Sequence, residues 1–135
     1  MKLYTFISAA ALLFISGFVM KKQAAPLYDT KWSLKKIYTQ AGTEEVSTNA
    51  FIKFNAAKKS AGGNGSCNSF GGTLYVLKDS ISITNIFSTK MYCDGVQQTE
   101  DSFFNQLGKV TQFEIKDTIL LLYNNNTLLL EFESA

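Results

Sequence analysis

Two cysteines and no histidine bound the chemistry open to this chain. Without histidine it lacks the usual general base, the triads that use one, and the commonest metal ligand. Cys67 and Cys93 alone cannot make a structural zinc site, which takes four ligands. If they are joined to each other, neither can be a nucleophile. What remains for acid–base work is eleven carboxylates, mostly at turns or helix starts. The pair Glu44-Glu45 could bind a cation, although neighbouring acids in a loop are ordinarily just solvated. No catalytic, cofactor-binding or metal-binding residue is nominated, and the expectation is a protein that is not an enzyme. The competing reading is a thiol-redox enzyme using Cys67 and Cys93.

The state of those cysteines depends on compartment. Met1-Lys2 opens the chain with positive charge, and Leu3–Met20 carries no charge. Lys21-Lys22-Gln23-Ala24-Ala25 and the only proline, Pro26, follow. A basic start, an apolar middle and small residues before a plausible cut after Ala25 read as a secretory signal over residues 1–25. The alternative is an uncleaved anchor, since residues 3–20 are about long enough to span a bilayer. Either way residues 26–135 form one exported domain, in the periplasm, the cell envelope or the medium. Paired cysteines outside the cytoplasm are expected to oxidise. The plainer alternative is two reduced core thiols. A bridge between residues twenty-six apart would contribute about 3–4 kcal/mol on the chain-entropy estimate.

All thirteen basic residues are lysine. Three, Lys2, Lys21 and Lys22, belong to the export segment, which leaves ten against the eleven acids. With no arginine and no net positive charge, a nucleic-acid role is poorly supported.

The elements that must position the cysteines come next. Five of the nine glycines fall in Gly62–Gly72, around Cys67. So dense a cluster is expected to be a bulged or sharply turned segment where backbone approaches backbone, not an ordinary strand, with glycine able to supply positive φ. Upstream, Trp32, Leu34 and Ile37 mark a half-buried strand over Lys31–Tyr38, with Trp32 as a core plug. Thr39–Ala50 reads as an exposed loop, Phe51–Asn55 as a strand, and Ala56–Lys59 as a turn. Leu74–Phe87 reads as a hairpin turning at Asp79-Ser80, with Ile81, Ile83 and Phe87 on or near one face.

Asp94-Gly95 then opens a helix within Val96–Leu107. Its start would be capped by Asp94 with Gln97, or by Thr99, and Gly108 would stop it. Val96, Phe103 and Leu107 form its packing face, widened by Phe104. Val110, Phe113 and Ile115 mark another strand. Ile119–Tyr123 and Leu128–Phe132 form a last hairpin, with Leu128, Leu130 and Phe132 alternating against Leu129, Glu131 and Glu133. The all-apolar run Ile119–Leu122 implies a central strand covered on both sides. The sequons at Asn64 and Asn125 are expected to carry no glycan in a bacterial source.

The run Gly65-Ser66-Cys67-Asn68-Ser69-Phe70-Gly71-Gly72, then Thr89-Lys90-Met91-Tyr92-Cys93, then Glu100-x-x-Phe103-x-x-x-Leu107 and a closing Leu-rich hairpin resembles the META domain family of HslJ-like bacterial envelope proteins. The likeness covers roughly Leu27–Phe132. It departs from the family pattern at Ser66, Leu74 and Tyr92. It implies a mainly antiparallel β fold (α+β), a small barrel-like twisted sheet of about seven or eight strands with one short helix. It also implies export to the envelope and a link, in some members, to stress tolerance or antibiotic resistance. The positions matching its motifs are Cys67, Asn68, Gly72, Thr89, Lys90, Met91 and Cys93.

These motif residues read as structural. Asn68 is expected to bond local backbone in its turn. Lys90 either shields a strand edge or faces a groove beside the disulfide. The expected function is a non-catalytic exported module, a monomer without cofactor, that contacts an unknown envelope protein or small ligand. It would touch membrane only through residues 3–20, if these are retained. The other alternative is a secreted inhibitor or small-ligand carrier using Gly42–Ser47 or the glycine segment. A pocket lined by Trp32, Tyr75 and Lys90 would favour that reading.

Overall fold

The structure, a computed structural model, describes residues 13, 15–18 and 23–135. The export segment expected at residues 1–25 thus falls largely outside the described residues. Among the described residues no helix is long and apolar enough to cross a membrane.

The first hydrophobic alternation gives strand β1, Trp32–Thr39, and a tight turn at Gly42 folds β2, Gly42–Glu45, back onto it. The expected loop Thr39–Ala50 therefore contains a short strand. Its sequence Gly-Thr-Glu-Glu has no apolar alternation, so only the pairing with Lys36–Thr39 defines it. Then come β3 (Phe51–Asn55), β4 (Ser60–Asn64), β5 (Ser69–Leu77) and β6 (Ser80–Ser88). Helix α1, Gln97–Leu107, leads to β7 (Gln112–Lys116), β8 (Ile119–Asn124) and β9 (Thr127–Ser134). Every strand pairs antiparallel with its neighbour, and β1 also pairs with β9. Eight strands, β1 and β3 to β9, therefore close into a ring, while β2 is appended to β1 alone and keeps one open edge. Its thinnest join is β6 to β7, held by the Ser80–Gln112 bridge and backbone bonds on either side of it.

The glycine cluster corrects the sequence reading in part: the turn and the close backbone approach are there, but four of the five glycines lie in strands and none takes positive φ. Gly62 and Gly63 lie in β4 and Gly71 and Gly72 in β5, regular across the β4–β5 pair but with a bulge against β6 at Gly72. None of the five glycines in this stretch has positive φ; Ser66 does, at 125°. What the glycines supply is missing bulk. A Cβ on Gly63 would lie 2.1 Å from the Phe51 carbonyl oxygen. That is backbone against backbone, which no rotamer change relieves. A Cβ on Gly65 would strike the Phe104 ring and Glu100 Cγ, at 2.5 and 2.8 Å.

Three bulges re-aim side chains. One between Leu34 and Lys36 lets both Leu34 and Ile37 point inward, three positions apart. One opposite Gly72, where Asn85 takes a φ of 51°, slips β6 by a residue. Phe87 consequently faces outward, 70% exposed, with its ring over Gly71, while Ile86 packs on the core. The third, between Leu122 and Tyr123, brings Leu129 rather than Leu128 into the core. In β8, Leu120 and Leu122 are core residues, and Leu121 is buried on the opposite face, in register with Glu114 and Glu131.

The core runs through the ring. Trp32 is wholly buried and donates its Nε1 hydrogen to the Leu27 carbonyl at 3.0 Å, so it is a plug. Phe103 of α1 meets Phe70 of β5 edge-on and Phe132 of β9, two distant strands of the ring. Helix contacts to β1 and β9 complete the packing.

Candidate functional site

The helix begins without the cap that its sequence suggests. Val96 occupies the N-cap position and no side chain bonds there, so neither Asp94 nor Thr99 caps it. Thr99 instead donates to Glu44 Oε1 at 2.6 Å, pinning β2 to the helix. Buried Gln106 donates to the Tyr38 carbonyl and pins β1. Glu44 is thus engaged by the helix and Glu45 pairs with Lys36 at 3.7 Å, so the two acids have different partners. Gly108 ends the helix in right-handed geometry, with its own N–H bonded back into the last turn.

Glu100, one turn into the helix, is the one acidic side chain buried among the described residues. Its Oε1 accepts from the Cys67 N–H at 3.1 Å and the Asn68 N–H at 2.6 Å. Its Oε2 accepts from Asn68 Nδ2 at 2.7 Å and Gln97 Nε2 at 3.3 Å. Glu100 thus satisfies backbone donors of the Gly65–Asn68 turn, which closes through a Gly65 N–H to Asn68 carbonyl bond. Burial alone pushes this carboxyl up. The bonds from Asn68, Cys67 and Gln97 together outweigh it and hold the group below its ordinary value of 4.5.

Asn68, also buried, is the hub. Its Nδ2 donates to Glu100 and to the Met91 carbonyl, and its Oδ1 accepts from the Met91 N–H at 2.8 Å and Thr89 Oγ1 at 2.9 Å. This amide uses two donors and two acceptor sites, its full capacity. The expected local bond within the turn gives way to one spanning 23 residues. Beside it Cys67 and Cys93 are joined, with Cα atoms 5.7 Å apart, and neither cysteine is free. One covalent and several polar links therefore bind turn 65–68, the crossing 89–93 and the first turn of α1 into a clasp.

The remaining motif positions fall around it. Gly72 lies in β5, where a Cβ would come within 3.0 Å of the Thr84 carbonyl oxygen. Lys90 is exposed, its Nζ 3.4 Å from Ser88 Oγ. Met91 and Tyr92 beside it are 59% and 77% exposed. Trp32, Tyr75 and Lys90 do not converge. Tyr75 flanks a shallow cleft with Tyr28 and Lys59, and Trp32 has no exposed surface. Among the described residues no group of three or more metal-ligating side chains gathers.

Glu100 is the member of the clasp whose role the sequence did not single out. Its spacing from Phe103 and Leu107 places it on the same helix, but its partners lie 32 and 33 residues upstream. The signals in the sequence were an acid in the first turn of the expected helix and its place at the head of the Glu100-x-x-Phe103-x-x-x-Leu107 run.

Comparison with known proteins places this geometry. The META domain family matches residues 25–135. The chain belongs to the META domain family. The family is not known as enzymatic. An NMR structure of a protein from Burkholderia xenovorans has the same fold, with a TM-score of 0.67 at 19% identity, over 85% of this chain and 94% of that one. A second NMR structure matches with a TM-score of 0.59 at 17% identity, over 79% of this chain and 90% of the other. No curated protein matches the chain.

Proposed function

We propose that this META domain is a non-catalytic module exported to the bacterial cell envelope, whose clasp holds the Lys90–Tyr92 tip in a fixed position for contact with another envelope component. A link to stress tolerance or antibiotic resistance belongs to the same proposal. The observation that carries it is the internal saturation of the motif residues. Asn68 spends its whole hydrogen-bonding capacity on Glu100, Thr89 and Met91, and Glu100 spends its oxygens on the turn and Gln97. Such a network orders the backbone and leaves nothing to offer a substrate. The disulfide supports an oxidising compartment.

A count of thiols on the denatured, unreduced protein taken from envelope fractions tests this reading against the redox-enzyme alternative. Zero free thiols, with a bond that survives physiological glutathione, is the expected result. Rapid reduction, or turnover of a model disulfide substrate that Cys93→Ser abolishes, would refute it.

A further inference from the structure

On the outer face of the ring one row crosses three strands: Ser33 of β1 is in register with Phe51 of β3, and Phe51 with Asn64 of β4. The row floors a groove of about 560 Å³, walled by Lys31, Lys35, Thr48 and Ser66. No acidic residue lines it. Lys36, one position along, pairs with Glu45 and Glu131, but among the described residues neither Lys31 nor Lys35 has a carboxylate within ion-pair distance. Lys31 Nζ instead sits over the Phe51 ring, 4.6 Å from its centroid.

Uncommitted hydrogen donors line this groove. Asn64 spends its Oδ1 on the Ser66 N–H at 2.9 Å, which leaves its NH₂ side. Ser66 Oγ and Thr48 Oγ1 share one bond at 2.8 Å, so one hydroxyl hydrogen of the pair remains. Ser66 holds its place at a φ of 125°, in a region that belongs almost entirely to glycine and costs any other residue stability. Ser66 and two lysines without a carboxylate partner line the same groove, and an oxyanion would supply the negative charge it lacks.

From this we infer that the Lys31–Lys35–Ser66 groove binds an oxyanion, the phosphate or carboxylate group of a small ligand or of a sugar that carries one. Ser66 is shared with the turn of the clasp, so the substitutions of Lys31 and Lys35, which lie outside the clasp, are what separate the two proposals.

The test is a titration of the ¹⁵N-labelled exported protein, followed by amide chemical shifts, with inorganic phosphate, glucose 1-phosphate, glucuronate and uncharged glucose. The expected result is saturable shifts at Lys35, Asn49 and Ser66 with the anions and none with glucose. Tighter binding of a charged sugar than of inorganic phosphate assigns the anion to a sugar; equal binding assigns it to the free ion. Lys31→Met with Lys35→Met should weaken binding at least tenfold, since each removes a charge-assisted bond. Ser66→Gly should raise Tm by roughly 4 °C or more by releasing the strained backbone, yet weaken binding. No saturable shift, shifts spread over all lysines, or affinity unchanged in either variant would overturn the inference.

Discussion

Replacing Glu100 with alanine tests the clasp at the point where most of its bonds meet. The substitution removes the acceptor of four donors; Gln97 Nε2 keeps its bond to Asp101, and three are stranded: the Cys67 N–H, the Asn68 N–H and one Asn68 Nδ2 hydrogen. A buried donor without a partner costs about 1–3 kcal/mol, and removing one side of a buried charged network costs about 3–5 kcal/mol in all. Cys67 is only half-buried, so water can replace one of the three bonds, and the lower part of that range is the better expectation, about 3–4 kcal/mol. A domain of this size holds about 5–15 kcal/mol. The loss would lower Tm by roughly 12–16 °C, at about 4 °C per kcal/mol. Glu100→Gln keeps one oxygen for the backbone donors but turns an amide toward Asn68 Nδ2, so about 1–3 kcal/mol is expected. Urea unfolding with the disulfide intact is the assay, and an unchanged m-value would show that the unfolded state is the same. A loss below about 1 kcal/mol in Glu100→Ala would refute the assignment of Glu100 as a bonded anchor.

The same group sets an acid limit. Its carboxyl is lowered in the folded state, so the unfolded chain binds the proton more readily below the ordinary value of 4.5. The contribution is present above that pH and lost as pH falls through the lower folded value. Wild type should therefore lose stability relative to Glu100→Gln in urea melts taken from neutral pH into acid below 4.5, and parallel curves would contradict it. Reducing the Cys67–Cys93 bond, or replacing both cysteines with serine, should cost about 3–4 kcal/mol for a loop of this length, read as a drop in denaturation midpoint. Gly63→Ala should prevent pairing of β3 with β4, seen as loss of strand signal in circular dichroism, because its Cβ would overlap the Phe51 carbonyl. Asn68→Asp should destabilise by at least about 2 kcal/mol at neutral pH, since it sets a second carboxylate against Glu100 and removes the donor to Met91.

Where apolar and polar residues alternate, the sequence is a good guide to this fold. β1, β3, the β5–β6 hairpin and β9 show that pattern, the all-apolar run of β8 marks a strand covered on both sides, and the compartment argument anticipates the Cys67–Cys93 bond. The pattern fails where side chains carry no alternation. β4 is Ser-Ala-Gly-Gly-Asn and β2 is Gly-Thr-Glu-Glu, and only their neighbours make them strands. It also fails past a bulge. Phe87 and Leu128 have the parity of core residues, but one extra residue in each strand reverses it. The motif positions of the clasp were legible by resemblance, the bonds of Asn68 and Glu100 were not, because contacts over 23 to 33 residues leave no local periodicity.

A double-mutant cycle on Asn68→Ala and Glu100→Ala, measured by urea unfolding, bears most directly on the claim that the motif residues form one bonded unit. If they do, the double variant is less destabilised than the sum of the singles, with a coupling energy of about 1.5 kcal/mol or more. Additivity within about 0.5 kcal/mol would mean the two side chains act independently and that no clasp exists.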